Sequence, residues 1–302
     1  MTTNVKRHSY RYQRTIAQQA ELTGVGFLTG ATVRLRFLPA PPSTGVVFVR
    51  TDLRPPVQIP AHVDEVTGTQ RRTTLGKAPA HVSLVEHVLA ALAGLRIDNC
   101  YVALNACEPP GLDGSARRFV DALHSAGTVL QPARRAVYCT DEPISVCSNG
   151  ATLTLHPPER DELKITYVLD YGARSPIDRQ LYTQVITPEQ FANSLAACRT
   201  FLLENEAAEL RRQGLGARTT AADLLVFGRR GPIDNVVRYA NEPARHKVLD
   251  LVGDLSLFGH DLRGHVVAYR SGHPLNVELA RMLSRQLVDN GTSHCPVQLL
   301  AA

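Results

Sequence analysis

The chain has no uninterrupted apolar run of signal-peptide or membrane-spanning length, although Lys6, Arg7, Arg11 and Arg14 give its start a basic character. This leads us to expect a cytoplasmic protein without a transmembrane segment, for which peripheral membrane contact is still compatible. No Cys-x-x-Cys pair occurs. The six cysteines (Cys100, Cys107, Cys139, Cys147, Cys198 and Cys295) are scattered, which argues against a zinc knuckle or a redox dithiol and for reduced, mostly buried thiols. A block of basic residues is also missing. The formal charge of +5 is carried by separated doublets such as Arg71-Arg72, Arg134-Arg135 and Arg229-Arg230. Nucleic-acid grooves combine clustered charge with interleaved aromatics, so a small anionic partner fits better than nucleic acid.

What is present can bury a core: 302 residues, 44% hydrophobic and 20% charged. Periodicity predicts strands over Thr32–Leu38 and Gly45–Arg50, a helix over Leu84–Ala93, a strand over Cys100–Asn105 and a helix over Ala116–Ala126. The later chain repeats this order loosely. Strand-like runs at Ala151–His156, Leu163–Leu169 and Leu181–Ile186 precede helices at Pro188–Ala197 and Ala244–Phe258. Gly127 to Pro132 reads as punctuation between the halves. The expected fold class is α+β, with two similar domains, 1–130 and 131–302, each a β-sheet packed with helices. A monomer is expected.

Helix ends place the candidate chemistry. Ser83-Leu84-Val85-Glu86 fits a capping box with Ser83 as N-cap and Gly94 as the stop, so Glu86 and His87 open a helix. Asn241 and Pro243 mark the start of the later helix, on which His246, Asp250 and Asp254 recur every four residues and share one stripe. A His and an Asp on one stripe can aim at one point, and catalytic zinc takes three such ligands and leaves a fourth position open. His87 is the candidate third ligand. Its neighbour Glu86 diverges from it on the helix, and so would face the water as general base. Each element also has an ordinary reading: Glu86 as a capping residue, His87 as a satisfied histidine, His246 and Asp250 as a surface pair. His273, in the turn-rich Ser271–Asn276, is a candidate acid partner oriented by a carboxylate such as Asp254, but spacing does not select it over His260 or His265.

Taken together, these residues resemble the UDP-3-O-acyl-N-acetylglucosamine deacetylases, the metal enzymes that commit bacteria to lipid A synthesis. The likeness runs from about Gln13 to Leu279. It includes Thr23-Gly24-Val25-Gly26, Val85-Glu86-His87, Ile97-Asp98-Asn99, Leu112–Ala116, Arg199-Thr200-Phe201, Arg245–Asp250 and Ser271-Gly272-His273. The resemblance implies that His87, His246 and Asp250 bind Zn2+, with Fe2+ as the alternative in the cell, and that Glu86 activates water. It implies His273 as a cationic partner supported by Asp254, Thr200 as an oxyanion donor, and Phe201 and Lys247 lining the glucosamine and diphosphate parts of the site. It further implies an active site between two domains and an insert over about 202–227 forming an apolar passage for the acyl chain of a UDP-linked acylated glucosamine. The sequence departs from the family pattern at Leu28, where histidine is usual, and before the metal helix at Asn241–Ala244. Competing readings keep the chemistry on another N-acylated sugar nucleotide, or make the chain a silent nucleotide binder. Acetate release with and without the 3-O-acyl chain separates the first, and an unchanged Glu86→Ala variant would favour the second.

Overall fold

The structure, a computed structural model, describes residues 4–289. Cys295 and the end of the expected second domain lie outside them. Residues 20–104 build one five-stranded sheet, in the order Ala20–Val25, Thr32–Pro39, Cys100–Leu104, Val46–Arg50, Val57–Pro60. Residues 144–269 build another, in the order Ile144–Ser148, Ala151–His156, Gly264–Tyr269, Leu163–Leu169, Gln180–Val185. The two have the same topology. In each, the last strand in sequence enters the middle, antiparallel to the second strand and parallel to the third. The repeat that periodicity showed only loosely is complete at this level.

Side-chain alternation explains which face each strand turns inward. Val33, Leu35 and Phe37 are buried while Arg34 and Arg36 point away, and Ile165, Tyr167 and Leu169 do the same in the second sheet. Helix α1 (Glu86–Gly94) is apolar all round through Val88, Leu89, Ala90, Ala91 and Leu92, so it must be covered on every side. Helix α2 (Arg117–Ala126) is amphipathic and buries only Phe119, Val120 and Leu123 with Ala126. A single turn, α3 (Pro188–Gln190), capped by the Thr187 hydroxyl, leads into a π-helical turn at Phe191–Leu195. The continuous helix expected to Ala197 is therefore broken. Helix α4 (Glu204–Arg212) is followed by α5 (Glu242–Ser256) and α6 (His273–Asp289). Helices α1 and α5 pack on each other, and one hydrophobic core runs through both halves.

Three local expectations need correction. Gly127–Pro132 is no loop: the chain continues as a strand, Thr128–Thr140, paired antiparallel with Val5–Ile16. Pro132 is accommodated where the register shifts, between the Gln13–Gln131 and Tyr12–Arg134 pairs. The motif Ile97-Asp98-Asn99 anchors this ribbon. Asn99 donates to Gln13 and Gln131 at 2.8 and 2.7 Å, and Asp98 takes both guanidinium nitrogens of Arg11 at 2.7 Å. Second, the capping box does not form. Leu84 is left-handed (φ 58°), Val85 is the residue before the helix, and Ser83 Oγ bonds Thr74 Oγ1 instead. Third, Asn241 precedes α5 without capping it, because its side chain accepts from Arg245 Nε. Cys100, Cys107, Cys139, Cys147 and Cys198 are free thiols, with Cys147 exposed.

Candidate active site

One close approach of backbones makes the site. A Cβ added at Gly253 would lie 2.2 Å from the carbonyl oxygen of Glu86, so only glycine lets α5 press against the start of α1. That contact sets Glu86 and His87 opposite the stripe of His246, Asp250 and Asp254. The positive-φ turn at Leu84 aims the first residues of α1 inward.

His87, His246 and Asp250 converge. One ligand atom from each lies within 4.8 Å of the others. His87 Nε2 is 3.5 Å and His246 Nε2 3.2 Å from Asp250 Oδ1, and the imidazole rings meet edge to face at 5.0 Å. His246 is fully buried, and its Nδ1 bonds the Cys198 carbonyl at 3.0 Å, which must accept, so Nδ1 carries the proton and Nε2 presents a lone pair. Burial also lowers its proton affinity and keeps it neutral. Burial opposes ionisation of Asp250, yet the carboxyl is held well below the usual carboxylate range, with the Lys247 ammonium as its charged partner. Lys247 Nζ donates to Asp250 Oδ2 at 2.9 Å and lies over the Phe201 ring, 5.5 Å from its centroid. His246 Nε2 and Asp250 Oδ1 are buried without a hydrogen-bond partner among the described residues. Two imidazoles and an ionised carboxylate, with His246 Nε2 and Asp250 Oδ1 left unsatisfied, fit a divalent cation such as zinc.

Beside this cluster lies a second set of groups. Glu86 is 2% exposed, and its Oε2 accepts from the Thr73 backbone N–H at 3.1 Å. Burial raises its proton affinity, against the opposing pull of His273 and His87. His273 opens α6 with Nε2 3.9 Å from Glu86 Oε1. Its Nδ1 bonds Asp254 Oδ2 at 2.8 Å; the same oxygen accepts from Asn276, and Oδ1 accepts from the Thr73 hydroxyl at 2.6 Å. Burial alone would discharge His273, but Asp254 and Glu86 outweigh it and raise its pKa from 6.5 to about 9. A cation at a helix N-terminus needs such an anchor. His260 packs on Tyr138 and Phe258, and His265 sits in the second sheet beside Thr166, whereas His273 stands beside Glu86 and Asp254.

The cluster opens into a cavity of about 1070 Å³. Thr200 and Phe201 line it at the start of a short strand, and the Thr200 N–H bonds Gly114, which ties together two of the motifs singled out above. The segment expected as an insert forms Phe201–Leu203, α4 and Leu225–Gly228. Leu202, Leu210, Leu215, Leu224 and Val226 face the cavity, whereas Leu225 is buried away from it. Arg71, Arg72 and Arg270 also line the cavity, Arg71 ion-paired with Glu206 and Arg270 with Asp170. Sequence reasoning missed Thr73, which touches the Glu86 and Asp254 carboxylates, because one threonine among several in a polar stretch carries no periodic signal. It also missed Asn276, which sits one helical turn after His273.

Comparison with known proteins bears on this geometry. The sequence pattern of the family described as "LpxC: UDP-3-O-acyl N-acetylglycosamine deacetylase" matches residues 13–285. A UDP-3-O-acyl-N-acetylglucosamine deacetylase of Solibacter usitatus is 39% identical over 270 residues, 89% of this chain and 90% of that protein. Proteins of the same name from Thermosynechococcus vestitus and Chlamydia abortus are 39% and 38% identical over 276 and 274 residues. These alignments cover 91% and 90% of this chain, and 95% and 97% of the relatives. A match of this length and identity, on a two-domain α+β fold with a buried His-His-Asp cluster, means that the chain belongs to the UDP-3-O-acyl-N-acetylglucosamine deacetylase family.

Proposed function

We propose that this chain hydrolyses the acetamide of a UDP-linked, 3-O-acylated N-acetylglucosamine, releasing acetate and the free amine, the committed step of lipid A synthesis. The observation that carries the reading is the unsatisfied His87–His246–Asp250 cluster flanked by Glu86 and His273. Zn2+, with Fe2+ as the cellular alternative, would be held by these three residues and would supply Lewis-acid polarisation of the amide carbonyl and of water. Glu86 takes the proton of the attacking water at its carboxylate, whose proton affinity burial has raised. As the carbonyl carbon becomes tetrahedral, the Thr200 hydroxyl and cationic His273 stabilise the oxyanion. The C–N bond then breaks, and His273 Nε2 gives its proton to the departing nitrogen. Asp254 keeps His273 charged and oriented through Nδ1.

Phe201 and Lys247 would contact the glucosamine and the diphosphate, with Arg71, Arg72 and Arg270 lining the same cavity. The apolar wall of the insert would take the acyl chain. We place the boundary between the halves near residue 130, within the strand Thr128–Thr140. No helix among the described residues is long and apolar enough to cross a membrane. A cytoplasmic monomer that meets its lipid-bearing substrate at a membrane surface belongs to the same proposal. Acetate release by the purified protein tests it. Activity should vanish with a chelator and return with zinc, whereas chelator-insensitive release overturns the metal mechanism and absence of release from the acylated substrate overturns the function. Substrate lacking the 3-O-acyl chain should react much more slowly.

A further inference from the structure

Glu108 is fully buried and has no ion pair among the described residues. An uncompensated buried carboxylate is costly, so its hydrogen bonds show what it is kept for. All of them go to one loop: Leu28 N–H at 2.9 Å, Thr29 N–H at 2.7 Å and the Thr29 hydroxyl at 2.7 Å. The fit is close, since a Cβ at Gly26 would lie 2.4 Å from Glu108 Oε1. The loop is closed on itself by Gly26 N–H to Ala31 and Gly30 N–H to Gly26, and Arg218 of the insert donates to the Gly30 carbonyl at 2.8 Å. It is thus held between a buried anion on one side and the insert on the other. Two of its side chains, Phe27 and Leu28, line the cavity together with Leu210, Leu215 and Leu224 of the insert.

We infer that Glu108 is a positioning residue for the apolar arm of the cavity, fixing the loop Gly26–Gly30 so that Phe27 and Leu28 complete the wall against which an acyl chain packs. This rests on the function proposed above. A charge is suited to the task because one carboxylate satisfies two adjacent backbone N–H groups and a hydroxyl at once, which a neutral side chain does less completely.

The test compares zinc-loaded wild type, Glu108→Ala, Glu108→Gln and Thr29→Val on UDP-N-acetylglucosamine with and without a 3-O-acyl chain. Glu108→Ala should lower the preference for the acylated substrate about tenfold, the equivalent of losing one buried charged hydrogen-bond partner. The loss should appear in KM rather than kcat, with zinc content retained and with Glu108→Gln recovering part of it. An unchanged preference, or an equal loss on both substrates, overturns the inference. If Glu108→Ala does not fold, Thr29→Val decides, because Thr29 is exposed and its substitution spares the core. It should lower the same preference by a smaller factor, and no change overturns the inference. Should wild type release no acetate from either substrate, the hydrolase reading falls, and equilibrium binding of a fluorescent dodecanoate judges Glu108 separately. About tenfold weaker binding by Glu108→Ala upholds its role, and equal binding refutes it.

Discussion

Glu86 and His273 face each other across 3.9 Å with opposite assignments, one buried carboxylate to take a proton and one imidazolium to give one. Glu86→Gln keeps the shape and an acceptor for the Thr73 N–H but removes the base; kcat should fall by about 10²- to 10⁴-fold with zinc content unchanged, as read by acetate release and metal analysis. On the proposed mechanism His273 sets the alkaline side of the pH dependence. Its folded pKa, about 9, stands above its ordinary 6.5, so its cationic form adds stability that is fully present below 6.5 and lost as pH rises through about 9. Activity requiring that cation should fall as pH rises through about 9, and the decline should be absent from the residual activity of His273→Gln. The ligand stripe of His246 and Asp250 was legible in the sequence because a spacing of four is a property of any helix. The choice of His273 over His260 and His265 was not, since it depends on Asp254 and Glu86 arriving from two other helices. Glu86 was read as a capping residue and as a base; the capping reading fails, because Leu84 takes a left-handed turn where the cap required an ordinary one.

Between elements, the contact of α1 with α5 governs whether those residues meet. Gly253→Ala puts a methyl 2.2 Å from the Glu86 carbonyl, a backbone atom that cannot swing aside. Overpacking of this kind costs about 1–3 kcal/mol, so urea unfolding should show that loss of stability and zinc should bind more weakly, because His87 and Asp250 are pushed apart. Helices α1, α2 and α5 were readable to within about two residues from their apolar periodicity. The strand Val5–Ile16 was missed, because alternating basic and polar residues at the edge of a small sheet carry little of the apolar signal on which strand reading depends. The same holds for Thr128–Thr140, whose Gly127 and Pro132 look like a loop until a partner strand is known.

At the scale of the molecule, the site joins the two halves: His87 and Glu86 come from the first, His246, Asp250, Asp254 and His273 from the second. Zinc should therefore stabilise the whole chain, by about 4 kcal/mol at roughly a thousand times its Kd. Thermal melts with and without a chelator should differ by several degrees, and His246→Ala should abolish the difference. The shared topology was visible in the sequence only as a loose recurrence of element order, since strand pairing leaves no trace in composition. That topology bears on how the chain comes into being. In each half the central strand is the last of its five to be synthesised, Cys100–Leu104 in one and Gly264–Tyr269 in the other. Each sheet therefore stays split down its middle until its final strand emerges and enters between neighbours already made. The candidate metal-binding residues on α5 leave the ribosome before the strand that completes their sheet, so the site is among the last things the nascent protein can assemble.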